Sequence, residues 1–195
     1  MPLWCPVTAP LSGDAIRDSV MVTSKDGLNF SVARVLILKS KIISKMLEDN
    51  DESGPVELPV DADAETLRCV FEFLDYHHEK PMKTIEKPLR GPFKELVEAW
   101  DWNFFQTRLL VAGDEKQNKP LQKVICAANF LIIDDLRTFA CAALASLIMN
   151  KTEEEIFDLF GAKGKILPEH WERLYLQFPY MRPKDAVKAT SLPTA

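Results

Sequence analysis

Cysteine, histidine and glycine are scarce in this chain: 195 residues include 4 Cys, 3 His and 7 Gly. The glycines form no phosphate-cradling loop, and the histidines sit in no metal or nucleophile motif, so the common catalytic signatures are missing. Cys5, Cys69, Cys126 and Cys141 are scattered, without a CxxC pair or a histidine at ligand spacing. That spacing predicts reduced, mostly buried thiols rather than a disulfide framework or a zinc site. Basic charge is also in deficit, with 24 Lys and Arg against 29 Asp and Glu and a net charge of -5. Nucleic-acid affinity rests largely on clustered Lys and Arg, so no nucleic-acid partner is expected. The longest apolar run, Phe139 to Met149, is interrupted by Ser146 and is too short for a bilayer, so no membrane partner is expected either. The opening MPLWCPVTAPLSGDA lacks the basic and apolar regions of a secretory signal.

What is present is an ordinary globular composition, 47% apolar and 27% charged, sufficient for one core with an appendage. Residues 1–17 carry Pro2, Pro6 and Pro10 before any periodic pattern and are expected to be a loose tail. Two β-rich runs flank Lys25-Asp26-Gly27, predicting a hairpin over Val20–Val32. Arg34 to Asn50 changes to helical spacing, with Leu38, Ile42, Ile43, Met46 and Leu47 on one face. After the turn cluster DNDESGP comes a brief strand at Val56–Pro59. Asp63 then caps a helix whose apolar positions are Leu67, Val70, Phe71 and Leu74 and which ends in Tyr76-His77-His78. His77-His78-Glu79 reads as a solvated helix end, since adjacent side chains there diverge too far to hold one ion.

Pro81 to Pro92 reads as an exposed crossover, Phe93 to Phe105 as one or two aromatic-rich helices, and Gln106 to Pro120 as a loop. From Leu121 onward the pattern is helical. One stripe is Leu121, Val124, Ile125 and Ala128, and a second runs from Leu136 to Ile148 behind the acidic start Asp134-Asp135. Thr152 and Glu155 form a T-x-x-E capping box with Gly161 at the far end, and Pro168 opens a last helix carrying Trp171, Leu174, Tyr175 and Phe178. Strands mixed with short helices, followed by helices alone, predict an α+β fold with a small sheet and a helical C-terminal extension. Short amphipathic helices this rich in large apolar groups call for a covering surface, either the preceding core or another protein.

Several segments carry a family resemblance. KVICAANFLIIDDL, Lys123 to Leu136, closely resembles the AANYLDIKGLL-type helix of the S-phase-kinase-associated adaptor family, the small subunit linking F-box proteins to cullin in SCF ubiquitin ligases. Ser24-Lys25-Asp26-Gly27 with Phe30 resembles that family's opening hairpin, and KMLED at Lys45–Asp49 its TMLED segment. Val56–Pro59 resembles its PVPLP strand, Trp100-Asp101 with Phe104 its WDxxF, and KTEEEIFDLF at Lys151–Phe160 its KTPEEIRKTF, with Glu153 in place of the proline.

The resemblance implies a BTB/POZ domain over residues 18–145, an F-box-binding helical extension over 146–180, and flexible tails at 1–17 and 181–195. It implies a non-catalytic adaptor without cofactor or metal, working in cytoplasm and nucleus. Cullin contacts would fall on Asn129 and Phe130, where Phe130 replaces a family Tyr. F-box contacts would fall on Leu144, Leu147, Ile148, Ile156, Leu159, Phe160, Trp171, Leu174 and Tyr175. Core packing is the competing reading for Phe130. A homodimer when free of partner stays an open option. So does a scaffold role in another assembly, kinetochore-like or self-associating, without cullin.

Overall fold

The computed structural model describes residues 2–7, 19–49, 57–59, 61–110, 118–161 and 168–182. The strands are β1 (Trp4–Val7), β2 (Ser19–Thr23), β3 (Asn29–Ala33) and β4 (Glu57–Pro59). They form one sheet in the order β1-β3-β2-β4, with β4 parallel to β2 and the other pairs antiparallel. The expected hairpin is β2–β3. Gly27 sits in its turn at φ 80°, a left-handed conformation that costs a residue with a Cβ, and Val20, Val22, Phe30 and Val32 alternate into the core.

Around the sheet run α1 (Arg34–Ile37), α2 (Lys41–Asp49), α3 (Ala64–Glu79), α4 (Phe93–Leu96), α5 (Ala99–Phe104), α6 (Lys119–Phe130), α7 (Asp134–Ile148) and α8 (Glu153–Phe160). Asp63 caps α3 as its sequence implied, accepting from the Thr66 N–H at 2.9 Å. Phe71 and Phe73 lie roughly 200° apart around this helix, and both are fully buried. Phe71 meets Phe30 of the sheet at 5.5 Å between ring centroids, while Phe73 meets Phe139 of α7 at 5.5 Å and Phe104 of α5 at 5.9 Å. A helix apolar on opposite sides belongs inside, and α3 is accordingly the middle layer between the sheet and the later helices.

Several sequence expectations change. Residues 4–7, assigned to a loose tail, form β1, because Trp4 finds an apolar seat against Phe30 and Phe71 at 6.3 and 5.9 Å. Within the segment read as a loop at Gln106–Pro120, a π-helical turn spans Phe105–Leu109 and α6 opens at Lys119, while residues 111–117 lie outside the described part. Phe105 and Leu109, on one face of this turn, are both buried and tie the segment to the core. No boundary falls at 145/146, because α7 runs through it. The chain divides into compact units after Gly161, and α8 belongs to the first. All four cysteines are free, as expected, but only Cys69 is buried. No helix among the described residues is long and apolar enough to cross a membrane.

The second unit, described by itself, holds α9 (Pro168–Gln177) and a 3-10 turn at Pro179–Met181. Trp171 stacks on Tyr175 at 5.6 Å, and Arg182 lies over the Tyr175 ring while pairing with Glu172 at 3.2 Å.

Candidate protein-interaction site

Asn129 and Phe130 close α6. Leu121, Val124, Ala128 and Leu131 form its buried stripe at helical spacing, which turns the adjacent pair outward. Asn129 is exposed and Phe130 is 51% exposed, which removes core packing as the explanation for this phenylalanine. The helix ends in a Schellman motif: the Ile133 N–H donates to the Ala128 carbonyl at 2.9 Å and the Ile132 N–H to the Asn129 carbonyl at 3.3 Å. The left-handed position of that motif, usually glycine, holds Ile132 at φ 52°, a strained conformation for a β-branched residue. Buried Ser40 locks the turn by donating its hydroxyl to the Leu131 carbonyl.

Beside Phe130 runs a groove of about 530 Å3, lined among others by Lys25, Asp61, Asp63, Lys123, Cys126 and Phe130. Its charges are paired: Lys25 with Asp61 at 2.8 Å and Lys123 with Asp63 at 2.5 Å. Partial burial pushes the Asp63 carboxyl up, but hydrogen bonds from Lys123 and Thr66 prevail and hold it at about 2. Paired charges around an apolar strip suit a protein surface better than a phosphate or a reacting substrate. Among the described residues no group of three His, Cys, Asp or Glu could hold a metal ion.

The second set of expected contacts lies on the late helices. Leu144 and Leu147 are half-buried against the core, Ile148, Ile156 and Leu159 are half-buried, and Phe160 is 42% exposed. Helix α8 is fastened by the expected capping box between Thr152 and Glu155, and Gly161 ends it at φ 62°. Trp171, Leu174 and Tyr175 are half-buried on α9, within the second unit, where Leu176 and Tyr180 are 81% and 82% exposed.

One feature of this architecture departs from the sequence reading. His77 is not a solvated helix end. It is 3% exposed and faces Asp101 of α5, although His78 and Glu79 are exposed as expected. Its position continues the buried stripe of Val70, Phe73 and Leu74 by one turn, and that spacing was the available signal. Burial also pushes the Cys69 thiol up to about 12, with Glu65 and Glu72 adding to the effect, so this cysteine is chemically quiet.

A family profile described as "Skp1 family, tetramerisation domain" matches residues 18–79. A Tetrahymena thermophila protein named S-phase kinase-associated protein 1 homolog is 33% identical over 132 residues, covering 67% of this chain and 74% of its own length. Proteins named E3 ubiquitin ligase complex SCF subunit sconC are similar as well. That of Arthroderma benhamiae is 28% identical over 159 residues and that of Talaromyces stipitatus 29% over 156, each covering 80% of this chain and 91% of its own length.

Proposed function

Because the chain belongs to the Skp1 family, we propose that it is a non-catalytic adaptor subunit of an SCF-type E3 ubiquitin ligase, joining a cullin to an F-box protein. The observation that carries the cullin side is Phe130, a large aromatic left 51% exposed at the rim of a groove whose charges are already paired. Covering the remaining ring surface stabilises a complex by up to ~2 kcal/mol, and a paired rim adds no stranded charge to the interface. Asn129, beside it, offers amide donors and an acceptor to the same partner.

The F-box protein would lie on Leu144, Leu147, Ile148, Ile156, Leu159 and Phe160, together with Trp171, Leu174 and Tyr175 of α9. Exposed Met149, Phe160 and Leu176 support this reading, since short helices with uncovered apolar groups gain most from a partner. In a cell without a matching F-box chain the same groups are open to a second copy, so a partner-free homodimer belongs to this proposal. The adaptor needs no cofactor and works in cytoplasm and nucleus. Co-expression of the tagged chain with a cullin and an F-box protein tests it: a three-chain complex on gel filtration is expected, and recovery of the chain without either partner would overturn it.

A further inference from the structure

We propose that β1 is a cap, filled in cis by residues 4–7, on a strand edge that would otherwise pair with a second copy of this chain. The family match begins at residue 18, so the matched sheet consists of β2, β3 and β4, with β3 at its edge. An uncovered edge strand presents a row of unpaired N–H and C=O groups, a template for another chain. Here the edge also has a socket, since Phe30 and Phe71 are each 0% exposed with Trp4 seated on both. Removing Trp4 would leave an open ladder beside two uncovered aromatic rings.

The fastening is specific. Trp4 faces Val32 and Val7 faces Asn29 in the antiparallel register. The Ala33 N–H donates to the Leu3 carbonyl at 2.8 Å, and the Leu3 N–H donates to Asp75 Oδ1 of α3 at 3.0 Å. Because antiparallel bonded pairs alternate, the Ala33 bond puts residues 29, 31 and 33 of β3 toward β1 and residues 30 and 32 toward β2. The same alternation aims the backbone nitrogens of Trp4 and Pro6 outward. Pro6 has no N–H to offer, so the new outer edge lacks a donor at its centre. The cap therefore closes one edge without building an equivalent one, and its short ladder leaves it displaceable.

The test uses the full chain carrying Trp4→Ala, with Asp75→Ala as a second variant that releases Leu3 without touching the core. Hydrogen exchange at the Ser31 and Ala33 amides should rise by about tenfold or more in each variant while Phe30 and Val32 keep their protection. A labelled peptide of residues 2–8 should bind either variant about tenfold more tightly than the wild type, whose edge is occupied, and a Trp4→Ala peptide should bind none of them. Sedimentation velocity should show the variants associating at lower concentration than the wild type, with the peptide reversing it. Equal peptide binding by wild type and variants, equal exchange at all four amides, or unchanged association in both variants would each overturn the proposal. So would wild-type dimers that Trp4→Ala dissolves, since they would show the strand exchanged between copies.

Discussion

His77 Nε2 lies 2.8 Å from Asp101 Oδ1, joining α3 to α5 across a space sealed from solvent. The other ring nitrogen, Nδ1, faces the Lys80 carbonyl at 2.8 Å. Both ring nitrogens thus face an oxygen, so the imidazole is held at both ends, by α5 and by the close of its own helix. Phe73, Tyr76 and Trp100 pack around the imidazole at 4.3, 5.1 and 5.6 Å between centroids, excluding water. Removing one partner leaves the other as a buried polar group without its hydrogen bond, at a cost of about 1–3 kcal/mol, whereas replacing both with apolar residues is far milder. Denaturant titration should thus show His77→Leu and Asp101→Leu each losing about 1–3 kcal/mol, and the double variant losing less than the sum. Additive losses would mean that the two side chains are not coupled.

Asn129→Lys with Phe130→Glu should leave the fold intact, because both positions are exposed. The introduced charges should weaken cullin binding by on the order of 2–5 kcal/mol if they become desolvated and unpaired there. Calorimetric titration with a cullin N-terminal fragment measures this, alongside a circular-dichroism spectrum that should stay native. Unchanged affinity would move the cullin contact elsewhere on the molecule.

Gly27→Val isolates a backbone effect. A Cβ built at Gly27 meets nothing within 4 Å, so crowding contributes no penalty, but φ of 80° is unfavourable for any L side chain and most for a β-branched one. A loss of about 1–2 kcal/mol is expected, and Gly27→Asn should lose less, because asparagine tolerates the left-handed region. Thermal melts of the three proteins compare them directly.

Acid should release the clamp between α3 and α6. Asp63 is held at about 2 against an ordinary 3.8, so its share of stability is fully present above about pH 4 and is lost as pH falls towards 2. Lys123 and Thr66 supply the hydrogen bonds that disappear on protonation. Asp63→Asn should be less stable than wild type at pH 6, with the difference shrinking as pH falls from 4 to 2. A constant difference across that window would show that the carboxylate charge contributes nothing.

Residues 156–161 and 168–178 should exchange rapidly in the isolated chain and become protected when an F-box peptide is added, because α8 and α9 are short and keep apolar groups uncovered. Trp171→Ala should weaken that complex by about 2 kcal/mol or more, as buried tryptophans at interface centres do, while lowering the melting temperature of the free protein only slightly. Residues already protected without the peptide would mark these helices as ordinary core.

The sequence alone determined the features that close within a few residues. The turn at Asp26-Gly27, the Asp63 cap, the Thr152–Glu155 box and Gly161 at the end of α8 each satisfy backbone groups beside the residue that supplies the bond. Apolar periodicity likewise located the helices and most of the core, and the short motifs pointed to the family. Tertiary structure decided what depends on a partner distant in the chain. Burial of His77 required Asp101, and β1 exists because Trp4 found Phe71, which lies beyond the reach of any local pattern. Phe130 stands outside the core and Cys69 within it because neighbouring elements cover one helix face and leave the other open, and periodicity names the faces without saying which will be covered.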